Sequence, residues 1–133
     1  MTIDIAFIKN NEGLKLHSYD DVAGIPTIGY GHKLLHGETF PDGITEQQAG
    51  ELLEKDLQNI NAFLETIPNL TDNQCTALAD FAYNLGLGSL HTLLTHGISQ
   101  VPNQLPRWVF AGGEKVEGLI RRRNAEVCLW NKN

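Results

Sequence analysis

Glu12-Gly13-Leu14-Lys15-Leu16-His17-Ser18-Tyr19-Asp20-Asp21-Val22-Ala23-Gly24-Ile25-Pro26-Thr27-Ile28-Gly29-Tyr30-Gly31-His32 decides how this chain folds. The stretch alternates loosely and is broken by Asp20-Asp21, Gly24, Pro26, Gly29 and Gly31. Short strands joined by tight turns have this composition, so residues 14–35 are expected to form a small irregular β-sheet. Upstream, Ile5, Phe7 and Ile8 suggest a short helix that ends near Glu12-Gly13, with the glycine at C′. A glutamate thus stands at a helix end, an aspartate in a turn and a threonine on a strand.

Glycosidic hydrolysis needs such a set. One carboxylic acid protonates the leaving oxygen, and a second carboxylate activates water or attacks the anomeric carbon. A hydroxyl beside the second carboxylate helps to hold the water. Singly, each residue has a plainer reading. A glutamate at a helix end is usually solvated, Asp20 and Asp21 form turns, and Thr27 is a β-branched strand residue.

Working outward, Thr45-Glu46-Gln47-Gln48 and Thr71-Asp72-Asn73-Gln74 are capping boxes. Behind the first, Ala49, Leu52, Leu53, Leu57, Ile60, Phe63 and Leu64 recur at helical steps, which predicts one linking helix over about 45–64. Behind the second, Leu78, Ala79, Ala82 and Leu85 face inward on a helix that ends at Gly86-Leu87-Gly88. Leu90, Leu93 and Leu94 suggest a short helix, and Leu105, Trp108 and Val109 another. Pro102 and Pro106 are expected to interrupt them, and Gly112-Gly113 to stop the second. A last helix runs from about Val116 past Trp130.

With 133 residues, this predicts one α+β domain, mainly helical. A small β-hairpin lobe (about 13–44) and the linking helix precede a larger helical lobe, about 70–133 plus the N-terminal helix. A cleft between the lobes would suit a polymer substrate.

The net charge of −6 and pI of about 5.2 argue against nucleic-acid binding, which needs a basic face. No apolar run reaches the roughly 18 residues of a bilayer span. Met1-Thr2-Ile3-Asp4-Ile5 shows no secretory signal pattern, so synthesis in the cytoplasm without a signal peptide is expected. Cys75 and Cys128 are then expected as buried free thiols. His32 with His36, and His91 with His96, raise the question of zinc, but the chain has no HExxH or other strong ligand spacing. No metal and no cofactor are expected.

The opening stretch resembles the motif of the phage-type lysozymes, glycoside hydrolase family 24, the family of the lysozyme of T-even phages. That motif runs Glu-Gly, eight residues between the Glu and the catalytic Asp, five more to Thr, then Ile-Gly-Tyr-Gly-His. Here eight residues separate Glu12 from Asp21 and five separate Asp21 from Thr27, which selects Asp21 over Asp20. The likeness continues through Ile44-Thr45, Ala49, Leu52-Leu53 and Asp56, through Asn73-Gln74, Ala77-Leu78 and Phe81 to Gly86, and through Arg107-Trp108 to Glu126. Many members carry a longer segment where this chain has residues 89–106, so a shorter groove wall is expected.

The resemblance implies a muramidase that cuts the β-1,4 bond between N-acetylmuramic acid and N-acetylglucosamine in peptidoglycan. Glu12 would be the general acid, kept protonated by a raised pKa. Asp21 would orient the attacking water, with Thr27 as its hydroxyl partner. Inversion at the anomeric carbon would follow, with the carboxyl groups roughly 6.5–9.5 Å apart. A monomer acting on glycan strands is expected, with no stable membrane association and a holin-type release from the cytoplasm to the cell wall in the periplasm. The alternative is a lysozyme-like cell-wall or partner-binding module without turnover; the intact Glu12–Asp21–Thr27 set speaks against it.

Four further side chains stand out. Asp56 lies among apolar helix positions and needs a partner, for which His32 is the natural candidate. Arg123 falls on the apolar side of the last helix and is expected to meet Glu12 or Glu126, or else to join a solvated basic patch with Arg121 and Arg122. Tyr30 and Asn84 are candidate sugar contacts; the plainer readings are packing for Tyr30 and a helix cap for Asn84.

Overall fold

A computed structural model describes residues 2–132. The chain divides into two compact units, one of them Ile5–Asn59 and the other the rest of the described residues.

In the first unit, α1 (Ile5–Glu12) leads into β1 (Lys15–Asp20), β2 (Pro26–Gly29) and β3 (His32–Lys33). The strands form an antiparallel sheet in that order. β1 is an exposed edge with an irregular register between Lys15 and Tyr19, while Thr27, Ile28 and Gly29 of β2 are buried. α2 (Glu46–Asp56) packs on β2 and opens with the full Thr45–Gln48 capping box. Gly29 shows why the packing is close. Its φ is +71°, and a Cβ there would lie 3.3 Å from the Cβ of Ala49. Ile8, Ile28, Ile44, Ala49, Leu53 and Leu57 supply the buried apolar side chains.

The expected linking helix is two helices, α2 and α3 (Gln58–Leu64). Leu57 between them has φ −81° and ψ −10°, unwound from α-helical values, and its N–H reaches the carbonyls of both Leu53 and Lys55. Hydrophobic spacing runs on unbroken through such a joint, so periodicity alone reads one helix.

The second unit is built on α4 (Asp72–Leu85), whose Cys75, Ala77, Leu78, Ala79, Phe81 and Ala82 are buried. α4 packs on α5 (Leu87–Leu94) and α7 (Glu117–Trp130). The N-terminal residues belong here, with the Asp4 N–H donating to Thr76 Oγ1 at 2.8 Å. By contrast α1, expected with the helical lobe, falls in the unit of the sheet.

Residues 98–115 differ most from expectation. Pro102 and Pro106 do not interrupt helices. Each stands in the first turn of one: α6 (Val101–Gln104) and the 3-10 turn Leu105–Arg107. A first-turn proline loses no intrahelical bond. Gly112-Gly113 is the turn of a hairpin between β4 (Phe110–Ala111) and β5 (Glu114–Lys115). Both glycines have positive φ, as a two-residue hairpin turn requires.

The arginine run is not a solvated patch. Arg121 is exposed, but Arg122 Nε and Nη2 both donate to Asp80 at 2.9 Å. Arg123 is fully buried. Its Nη2 donates to Glu126 at 2.9 Å, its Nε makes a charge contact with Glu126 Oε1 at 2.7 Å outside hydrogen-bond geometry, and its guanidinium lies over the Phe81 ring. Burial, then the nearby Asp80 carboxyl, pushes the Glu126 carboxyl well above the usual range. Cys75 is buried and free as expected; Cys128 is free but exposed.

Candidate active site

The first unit carries Glu12, Asp21 and Thr27, each placed by a local feature of the sequence. Glu12 is the last residue of α1. The helix stops there because Gly13 takes φ +72° while its N–H still bonds the carbonyl of Lys9 at 2.9 Å. Glu12 is partly exposed.

Asp21 heads the tight turn between β1 and β2. Its carbonyl accepts from the Gly24 N–H, and its own N–H reaches the Ile25 carbonyl. Its side chain is fixed as well. Oδ1 accepts from the N–H groups of Ala23 and Ile25 at 2.8 and 2.9 Å, and Oδ2 lies 2.7 Å from Lys33 Nζ. The Lys33 bond, followed by the Ile25 N–H, holds the Asp21 carboxyl below its usual range, so it is ionised near neutral pH. Asp20, its neighbour, has none of these bonds.

Thr27 is buried on β2, and its hydroxyl donates to the Ile25 carbonyl at 2.8 Å. Its link to Asp21 therefore runs through the main chain of Ile25.

The sheet register aligns a row across all three strands. Tyr19 pairs with Thr27, and Thr27 with Lys33. Cross-strand partners share a face. Tyr19 is 39% exposed. Partial burial and the charges of Glu12 and Asp21 push its phenol up, against the opposing pull of Lys33. Both carboxylates thus lie within electrostatic reach of one phenol.

Behind this row, His32 Nδ1 lies 2.6 Å from Asp56 Oδ2 and His32 Nε2 lies 2.8 Å from Glu38 Oε1. A carboxylate oxygen faces each ring nitrogen, an arrangement that favours the imidazolium, in which both nitrogens donate. Burial lowers its pKa, but the bonds to Glu38 and Asp56 outweigh burial and raise it. Glu38 Oε1 also accepts from the Leu35 N–H at 2.9 Å. The pair joins β3 to the end of α2, and Glu38 adds the 35–38 turn, a partner the sequence reading did not name.

The two expected sugar contacts are placed differently. Tyr30 is buried, with Lys9 Nζ 5.2 Å from its ring centroid. Asn84, in the second unit, accepts from Arg123 Nη2 at 2.7 Å through Oδ1. Among the described residues no group of three or more His, Cys, Asp or Glu side chains is placed to hold a metal ion.

Lys33, Tyr19 and Glu38 were missed from sequence. A signal for Lys33 existed: a tight turn at Gly29-Tyr30-Gly31 returns the strand so that residue 33 faces residue 27.

The sequence profile of the family described as Phage lysozyme matches residues 9–126. A SAR-endolysin of Bacteriophage PS119 is 38% identical over 137 aligned positions, covering 91% of this chain and 78% of that protein. The endolysin from Escherichia coli O157:H7 phage FAHEc1 superposes with a TM-score of 0.83 at 30% identity, covering 99% of this chain and 94% of that one. The muramidase domain of SpmX from Asticaccaulis excentricus gives a TM-score of 0.79 at 27% identity, over 97% and 95% of the two chains.

Proposed function

The chain belongs to the phage lysozyme family and is a peptidoglycan hydrolase of the endolysin type, and we propose that Glu12, Asp21 and Thr27 carry its reaction. The bond cut is the β-1,4 link from N-acetylmuramic acid to N-acetylglucosamine. Glu12 protonates the leaving oxygen, and Asp21 orients the water that attacks the anomeric carbon. Thr27, buried and bonded to Ile25, steadies the loop that carries Asp21 and lends its hydroxyl oxygen to that water.

One observation carries the assignment. Asp21 is held ionised by three donors, while Tyr19 feels both its charge and that of Glu12. A fixed, ionised carboxylate in a turn and a second carboxyl on a helix end of the same unit are the groups the chemistry needs. Because Asp21 acts through a water, we assign inversion and a carboxyl separation of roughly 6.5–9.5 Å. Tyr30 and Asn84 remain proposed sugar contacts, each within its own unit.

The setting is part of the proposal. A monomer made in the host cytoplasm reaches the wall through a holin-type pore and needs no stable membrane association. Among the described residues, no helix is long and apolar enough to cross a membrane. The net charge of −6 disfavours nucleic acid as a partner. The test is turbidity loss of outer-membrane-stripped Gram-negative cells, wild type against Glu12→Gln. Equal rates would refute the assignment.

A further inference from the structure

We propose that Lys33 is a positioning residue for Asp21, setting both the direction of its carboxylate and the acid limit of catalysis. The inference rests on the assignment of Asp21 above and concerns a residue outside the Glu12–Asp21–Thr27 set.

The geometry is specific. Lys33 stands on β3 directly across from Thr27, and its Nζ lies 2.7 Å from Asp21 Oδ2. The Ala23 and Ile25 N–H groups hold Oδ1. An ionised carboxylate offers about four acceptor positions. Three are filled, two on Oδ1 and one on Oδ2. The fourth, on the oxygen that Lys33 pins, is the position left for a water. The two N–H groups alone fix one oxygen and leave the carboxylate free to rock about it; Lys33 fixes the second point.

The pair has little to do for the fold. Lys33's side chain is 58% exposed and Asp21's 21% exposed, and ion pairs this accessible contribute little to stability. Their effect falls on the charge state of Asp21 instead. Within this unit Tyr19 from β1 is the other titratable side chain that interacts with Asp21. The phenol is neutral near pH 7. Lys33 is therefore the cation that keeps Asp21 ionised.

The experiment measures kcat/KM against pH on purified glycan strands, counting reducing ends, for wild type, Lys33→Met and Lys33→Arg. A protein-carboxyl NMR titration of Asp21 accompanies it. Lys33→Met is expected to lower the plateau several-fold and move the acid limb to higher pH, with the Asp21 midpoint moving the same way. Lys33→Arg is expected to restore the acid limb. An acid limb that stays put in Lys33→Met, whatever happens to the plateau, overturns the proposal. Asp21→Asn is the separate control: wild-type rates there would remove Asp21 from the reaction, and the NMR midpoint of Asp21 in Lys33→Met would still report on the pair.

Discussion

Asp21 and Thr27 are joined through one residue: the Ile25 N–H donates to Asp21 Oδ1 at 2.9 Å, and the Ile25 carbonyl accepts from Thr27 Oγ1 at 2.8 Å. A hydroxyl buried on a strand thereby fixes the loop that aims a carboxylate. Thr27→Val keeps the shape and removes the donor. It is expected to cut kcat by about ten- to a hundredfold, the scale of one positioning hydrogen bond. Thr27→Ser, which keeps the hydroxyl, should retain most of the activity. Steady-state rates on purified peptidoglycan decide between them.

The proposed role of Asp21 carries a stereochemical prediction. On the proposed assignment, Asp21, held by Ala23, Ile25 and Lys33, acts as a base for water. The first-formed product should be the α-anomer. Proton NMR of early product reads this directly, and a β-anomer would rule out the inverting route.

Gly29 ties the site to the packing beneath it. Gly29→Ala adds a Cβ 3.3 Å from that of Ala49 at a backbone with φ +71°. Overpacking and left-handed strain together should cost about 1–3 kcal/mol. Thermal unfolding should show a fall in Tm, and activity should fall with it because Thr27 lies two residues away on the same strand.

His32 gives the fold a pH dependence. Its pKa is raised in the folded chain by Glu38 and Asp56 against burial. A raised pKa means that the imidazolium's contribution is complete below the unfolded value of about 6.5 and is lost as pH rises through the folded value. His32→Gln should therefore destabilise more at about pH 6 than at about pH 9. Denaturant midpoints for both proteins at the two pH values provide the test; an equal loss at both would mean the ring is not held charged.

Much of this was legible because local chemistry acted alone. The two capping boxes, the glycine after Glu12 and the turn at Asp21 each depend on neighbours in sequence, and each forms as its residues require. What escaped depended on partners far along the chain. Asp80 selects Arg122 across 42 residues, and no local pattern shows that Arg122 is buried while Arg121 is not. Likewise the break at Leu57 leaves the hydrophobic spacing intact. The hairpin at Gly112-Gly113 is a different case: the glycine pair signals a two-residue turn, and reading it only as a helix stop missed the two short strands.

Fragments from purified peptidoglycan, digested by wild type and by Glu12→Gln, reduced with borohydride and weighed by mass spectrometry, test the central claim most directly. Wild type should release disaccharide peptides ending in reduced N-acetylmuramic acid. Glu12→Gln, with the same circular dichroism, should release them about a hundredfold to ten-thousandfold more slowly, the range for loss of a general acid. Equal release by the two proteins, or wild-type fragments ending in reduced N-acetylglucosamine, would contradict the account.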